Sequence, residues 1–401
     1  DGVPPELLGK LPLQGLEVLL SVLNHSMAEG CVLAMWRRAE IVPIHKKGKP
    51  LDQARSFRPV SLLSVISKAL EGMLATRMAA WAEARGLIPE EQAGFRAGRS
   101  TSDYLASLAQ RAFDGLQARP ATRSLVVAVD LRAAFDRVIR GRLLQRLAEA
   151  QLPRTWLRWL RSFLADRRAR VRWGWALGRW RVVKEGVPQG SPLSPLLFLL
   201  FTAPLLAAVK ETGQVRAHAY ADDLTLVAES VDPEEAGHMM QRGLDAVEGW
   251  CGDEHVDIAP DKSTALLLTC APREVNNNVA PPLRLGGAAV AHTPRPRILG
   301  VTLDSRLYFN HHALEAARRL RGRASVLSAL AARRWGANAA TLHRVYTAFV
   351  RPAVLYAGGV WFPFLAPTYR EKLESVNSGR PGSSRGWRPG HESRPWCGTL
   401  A

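Results

Sequence analysis

Three aspartates carry the chemistry this sequence is equipped for. Asp130 closes an apolar run, and Asp222 and Asp223 stand side by side in Tyr220-Ala221-Asp222-Asp223. Neighbouring carboxylates repel, and a divalent cation with oxygen ligands is the usual relief. An Asp-Asp pair alone reads as a solvated turn, and Asp130 alone as a strand-end cap. In one chain the three supply the ligands of a two-cation site, in which ions roughly 3.5–4 Å apart clamp the attacking and leaving oxygens of an in-line phosphoryl displacement. One ion lowers the pKa of an attacking hydroxyl; the other neutralises charge on a departing pyrophosphate.

The elements that must position these groups follow from pattern. Gln214–Ala219 and Leu224–Val227 read as strands, with the Asp-Asp pair at the hairpin tip between them. Leu125–Val129 is a continuous β-branched strand ending at Asp130. Other expected strands are Ala39–His45, a hairpin of Val171–Trp173 with Trp180–Val183, and Ser263–Leu268. Helical spacing covers Ser61–Ala84, Ser102–Leu116, Arg140–Leu164 with a break at Pro153, Pro233–Cys251, and an Ala/Arg-rich stretch from His311 to about Phe349. Gln92–Thr101 and Gly186–Ser194 are loops rich in Gly with Arg or Pro. Pro192–Val209 is apolar enough to raise a membrane span, but prolines interrupt it and no second span accompanies it, so a buried core helix is expected.

At 401 residues the chain has room for two or three subdomains, and 47% hydrophobic with 22% charged residues is a globular composition. A net charge of +18 points to a polyanionic partner, although an Arg-rich coding genome would produce the same excess. Cys31, Cys251, Cys270 and Cys397 lie far apart, which suggests neither a zinc site nor a disulfide framework and fits a reducing intracellular compartment. No signal peptide is evident, and a start at Asp1 without methionine reads as a fragment. Residues 378–401 turn abruptly to Gly, Pro, Ser and Arg, which suits a disordered tail or a shifted reading frame.

Several motifs occur in a fixed order: Phe57-Arg58-Pro59-Val60-Ser61-Leu62-Leu63, Gln92-Ala93-Gly94-Phe95-Arg96, Ala134-Phe135-Asp136, Gly186-Val187-Pro188-Gln189-Gly190-Ser191-Pro192-Leu193-Ser194-Pro195 and Tyr220-Ala221-Asp222-Asp223. With these the chain resembles the reverse transcriptases of non-LTR retrotransposons over roughly residues 1–376, and Leu299-Gly300-Val301-Thr302-Leu303-Asp304 matches their primer grip. The Arg-rich C-terminal region and Tyr356–Pro363 are most similar to ingi-like trypanosomatid elements.

The resemblance implies an α+β fold of the right-handed polymerase type, with fingers, a palm of antiparallel sheet packed on helices, and a helical thumb. The segments would be 1–124 for an N-terminal extension and fingers, 125–304 for the palm with interleaved finger elements, 305–376 for the thumb, and 377–401 for the tail. It implies an RNA-directed DNA polymerase that uses two Mg2+ ions, with Mn2+ as a substitute. The partners would be an RNA template, a DNA primer or target and dNTPs, with no membrane, inside the cell and in the nucleus.

By position, Asp130, Asp222 and Asp223 match the metal-binding catalytic carboxylates, and Lys262 the lysine that protonates pyrophosphate. A surface Lys leading a strand is the plainer reading of Lys262. Phe135 matches the aromatic gate that excludes a 2′-hydroxyl. Gln189 and Gly190 would approach sugar or base, or else form a turn that caps the next helix through Ser191 or Ser194. Arg58, and more loosely Lys46 or Lys47, would hold the triphosphate. Leu131 and Tyr220 complete the nucleotide set. Leu299 and Gly300, with Arg318, Arg319, Arg321 and Arg323 and the Arg333-Arg334-Trp335 run, would track template and primer. Rival expectations are a decayed remnant that only binds RNA or DNA, and a group II intron maturase-like polymerase; Phe135 argues against ribonucleotide use.

Overall fold

Two largely antiparallel sheets, with helices packed around them, form the computed structural model, which describes residues 3–132, 134–277, 281–331 and 336–378. The central sheet has the order β13-β10-β3-β8-β7. Its strands are β3 (Arg123–Arg132), β7 (Val215–Tyr220), β8 (Asp223–Ser230), β10 (Thr264–Leu268) and β13 (Ala291–His292), with β9 (Asp257–Ile258) paired to the end of β3. Both faces are buried, which explains the unbroken apolar run of β3. Leu125, Val127, Val129 and Leu131 enter one core, while Val126 enters the opposite core with Val227 and Leu266.

The first core is filled by α3 (Val65–Ala84), α5 (Arg140–Glu149), α6 (Arg154–Leu164), α7 (Ser194–Glu211) and α8 (Pro233–Asp253). The second is filled by α4 (Thr101–Gln117), α10 (Asn310–Leu330) and α13 (Gly358–Trp361). Helix α7 is the apolar run that raised a membrane span, and Leu197, Phe198 and Phe201 are wholly enclosed. A capping box of Ser100 with Asp103 starts α4.

The second sheet, β2-β1-β4-β5, joins β1 (Arg38–His45), β2 (Phe57–Leu62), β4 (Arg168–Trp173) and β5 (Ala176–Leu177), and β6 (Arg181–Val182) pairs with β4. Other described elements are α1 (Pro5–Leu8), α2 (Leu13–Glu29), α9 (Pro272–Asn277), α11 (Ala339–Val345), α12 (Pro352–Leu355), α14 (Pro367–Ser378), and two small hairpins. These hairpins are β11 (Arg284–Leu285) with β12 (Ala288–Ala289), and β14 (Arg297–Ile298) with β15 (Val301–Thr302).

Several expected boundaries move. The helix expected from Ser61 starts at Val65, with Ser64 as its cap, because Phe57–Leu62 is taken by β2. Pro59 is tolerated there because β2 is an edge strand. Strand β3 does not end at Asp130 but runs two residues further, where Leu131 and Arg132 pair with β9. In the expected Trp-rich hairpin, Arg172 and Trp173 pair with Leu177 and Ala176, and Arg181-Val182 pairs with Ala169 and Arg168 instead. The long helix from His311 is interrupted after Leu330 and resumes at Ala339. Residues 333–335, Cys397 and the tail from 379 lie outside the described residues.

Candidate active site

Strands β7 and β8 close a hairpin in which Tyr220 pairs with Asp223, so Ala221-Asp222 is a two-residue turn. Asp222 alone occupies the tip, a correction to the expected Asp-Asp tip, and Asp223 is the first residue of β8. Ala221 has φ +59°, at a position where glycine is favoured. A non-glycine residue there costs roughly 1–2 kcal/mol, and the loop at 91–94 holds it in place. Gln92 Oε1 accepts from Ala221 N at 2.9 Å and from Gly94 N at 2.8 Å, and Gln92 Nε2 donates to Ala221 O at 3.3 Å. Ala93 N donates to Ala219 O, and Ala219 N to Glu91 O, each at 2.8 Å. Gly94 lies backbone-to-backbone on the turn: a Cβ there would stand 2.8 Å from the Tyr220 carbonyl carbon and nearer still to Ala221 N.

Asp130 is the Cα partner of Asp223. By strand alternation both side chains lie on the face that carries Val126 and Val227. Burial pushes the Asp223 carboxyl up to about 6, and the charges of Asp222 and Asp130 add to the rise. Burial also raises Asp222, its own backbone N–H draws it back, and Asp130 raises it further. The loop after β9 clamps Asp130: Ala259 N donates to its carbonyl at 2.9 Å, and its own N–H reaches Ser263 Oγ at 3.3 Å. This places Lys262 in the site, with Nζ 3.1 Å from Asp130 Oδ2.

Among the described residues no three metal-ligating side chains converge into a ready cage. The all-carboxylate donor set nevertheless suits a hard cation such as Mg2+ or Mn2+. The charge that Asp130 imposes on both neighbours is what such a cation would relieve.

Asp222 opens onto a cleft of about 750 Å³ whose walls include Lys46, Phe57, Arg58, Phe95, Phe135 and Gln189. Phe135 stacks on Phe198 of α7 at 4.3 Å and meets Phe95 edge-on at 6.4 Å. Arg58 is exposed on β2 and pairs with no carboxylate among the described residues. Lys46 lines the same wall, but its Nζ donates to Arg55 O at 3.0 Å. Gln189 is already engaged: its Nε2 donates to the Asp136 carboxylate at 3.1 and 3.2 Å, and its carbonyl accepts from Ser61 N at 2.9 Å.

Gly190, at φ +117°, makes room for β2, since a Cβ would lie 2.7 Å from Ser61 O. That need is separate from any nucleotide. The N-cap residue of α7 is Leu193, and Ser191 serves the helix start by accepting from Leu193 N at 3.1 Å, whereas Ser194 Oγ donates to Pro188 O. Ser191 Oγ also donates to the buried Glu71 carboxylate at 2.5 Å, and Ser67 Oγ donates to the other Glu71 oxygen at 2.5 Å. The Leu131 side chain is buried, so only its backbone is available to a nucleotide, and Tyr220 is half-buried against the second core.

Leu299 and Gly300 form the turn between β14 and β15, at φ +43° and +82°. Tyr356 supports it, its hydroxyl donating to Leu299 O at 2.7 Å. Arg318 and Arg321 are exposed on α10. Arg319 is half-buried and its pKa lowered by burial with Arg297 nearby, while Arg323 donates to Phe349 O at 2.6 Å and lies over that ring. Of the four expected backbone-tracking arginines, Arg323 is therefore committed to packing within the helical region. Sequence reasoning gave no role to Gln92, Gly94, Phe95, Asp136, Glu71 or Tyr356. The first four were visible within motif runs and Tyr356 within the Tyr356–Pro363 stretch, whereas Glu71 carried no local signal.

Residues 44–303 match the family model described as Reverse transcriptase (RNA-dependent DNA polymerase). The chain is 31% identical over 365 residues to a Drosophila melanogaster protein named probable RNA-directed DNA polymerase from transposon BS, covering 90% of this chain and 40% of that protein. It is 30% identical over 373 residues to the RNA-directed DNA polymerase from mobile element jockey of Drosophila funebris, covering 92% and 40%. An apo telomerase from Candida tropicalis, truncated from its C-terminal domain, is similar in structure at a TM-score of 0.46 and 11% identity, covering 72% of this chain and 58% of that one. The chain thus spans 40% of the length of each of these two curated relatives.

Proposed function

Because the chain belongs to the reverse transcriptase (RNA-dependent DNA polymerase) family, we propose that it extends a DNA 3′ end on an RNA template with dNTPs. The observation that carries this reading is the β3–β8 register, which sets Asp130 against Asp223 beside the Asp222 turn at the cleft. In the reaction the primer 3′-oxygen bonds to the α-phosphorus, the bond to the β-phosphate oxygen breaks, and pyrophosphate leaves. Two Mg2+ ions held by Asp130, Asp222 and Asp223 would activate the hydroxyl and stabilise the leaving group.

The chain's own residues divide the rest. Arg58 pairs with no carboxylate among the described residues and is on the cleft wall, suited to holding the triphosphate, with Lys46 beside it. Phe135, fixed by Phe198, would fill the space of a 2′-hydroxyl. Lys262 is close enough to the catalytic carboxylates to hand a proton to pyrophosphate, a contribution of about 10²–10⁴-fold. Gln189 reaches sugar or base only by leaving Asp136, and Gly190 serves by letting that loop lie against β2. The Leu299-Gly300 turn would seat the primer, and Arg318 and Arg321 the duplex backbone. We assign an N-terminal extension and fingers to 1–124, the palm with interleaved finger elements to 125–304 and the helical thumb or connection to 305–376, and place the work in the nucleus, where a DNA target lies.

Purified protein is expected to extend an oligo(dT)-primed RNA with dNTPs and Mg2+, and Asp222→Ala to abolish extension. Equal activity in the variant would overturn the site assignment.

A further inference from the structure

Residues 168–184 hold five arginines and one lysine with no carboxylate among them, Asp166 and Glu185 lying just outside the stretch. Within this stretch β4 turns into β5 through Gly174-Trp175, with Trp173 paired to Ala176. Trp175 is 99% exposed and Trp173 60% exposed. A two-residue turn does not need tryptophan, and folding alone favours removing so large an apolar ring from water. Trp180 carries the guanidinium of Arg170 over its ring at 4.5 Å and that of Arg38 at 5.7 Å. Glu40 is the carboxylate that pairs with Arg170 and Arg172. The surface therefore combines flat rings with an excess of cations.

The tip is joined to the cleft by its own rings. Trp173 meets Phe57 edge-on at 5.3 Å across β1, and Phe57 lines the cleft beside Arg58. We propose that this β4–β5 hairpin is a stacking platform for the unpaired template strand ahead of the cleft, with Trp175 and Trp173 stacking on its bases and the arginines tracking its phosphates. The inference rests on the polymerase reading above. Charge selects a polyanion over an apolar protein partner. Exposed rings select a single strand over a duplex, because only unpaired bases offer their faces.

The test uses the full chain and two labelled RNA–DNA primer–templates with the same duplex, one blunt and one with an unpaired 5′ template extension. Wild type is expected to bind the extended substrate more tightly. Trp175→Ala should weaken that substrate by about tenfold, the order expected for one lost base–ring stack, and leave blunt-end affinity within about twofold. Trp175 touches solvent on nearly all its surface, so the variant should melt like wild type; Trp173→Ala with Trp175→Ala should lose more.

Equal losses on both substrates, or no loss on either, would overturn the platform. So would loss of a dimer on sedimentation with overhang affinity intact, which would make a second copy the occupant. Failure of wild type to extend any primer, with the overhang preference and its Trp175 dependence retained, would instead remove the polymerase reading and leave the single-strand surface standing.

Discussion

Replacing Gly94 by alanine tests whether the catalytic turn is held in place from outside its own hairpin. The new Cβ would stand 2.8 Å from the Tyr220 carbonyl carbon and 3.1 Å from Ala221 Cα, with Ala221 N closer still. Comfortable carbon contacts begin at about 3.5 Å, so the turn or the 91–94 loop must recede by about 1 Å. Every nearby atom is backbone, and none can rotate away. The shift would strain the Gln92 bonds that hold Ala221 at φ +59° and carry Asp222 with it. A misplacement of that size in reacting groups costs about 10²-fold.

The assay is single-turnover primer extension at saturating dNTP, with primer–template affinity and melting temperature measured alongside. The rate is expected to fall about 10²-fold with affinity little changed. Gly72→Ala is the control: Gly72 is inside α3 with nothing within 4 Å of its would-be Cβ. That substitution should gain roughly 0.5–1 kcal/mol of stability and leave the rate alone. A Gly94→Ala rate within about threefold of wild type would refute the argument that this loop sets the turn.

Phe135→Val removes the ring that stacks on Phe198, and ribonucleotide incorporation should rise by at least about tenfold relative to dNTP; unchanged sugar selectivity would count against the gate. Because Asp223 is raised to about 6, the folded chain holds a proton that the unfolded chain releases near pH 4, so stability falls as pH climbs through that window. In cation-free buffer the melting temperature should drop over this range more in wild type than in Asp223→Asn, and Mg2+ should shrink the difference; parallel curves would contradict it. Glu71→Ala strands the Ser67 and Ser191 hydroxyls inside the protein and should cost roughly 1–3 kcal/mol, with Glu71→Gln costing less, by chemical denaturation.

What could be read from the chain were features whose cause is local. The unbroken apolar run of β3 and the 3.6-residue spacing of α8 depend on neighbours within a few residues, and so do the other core strands of the central sheet, β7, β8 and β10. The errors share a different cause. Ser61 looked like a helix start because its apolar spacing continues into α3, and only pairing with β1, with the Ser61 N–H to Gln189 O bond, makes it strand. Asp130 looked terminal because β9, which prolongs the pairing, lies more than a hundred residues away in the chain.

The same distinction explains the site. Charged groups announce themselves, since three carboxylates need a reason to be close. Neutral groups that hold them do not. Gln92 lies 129 residues from the Ala221 backbone it grips, and its amide, bonded to the Ala221 and Gly94 backbone, has no chemistry that a sequence could advertise. Gly94 is legible only as a missing side chain, and the reason for the omission is the backbone of the other segment. The Asp222 turn is therefore a tertiary contact as much as a hairpin: β3 and β8 bring the aspartates together, and a loop more than a hundred residues away in the chain sets the angle at which they meet.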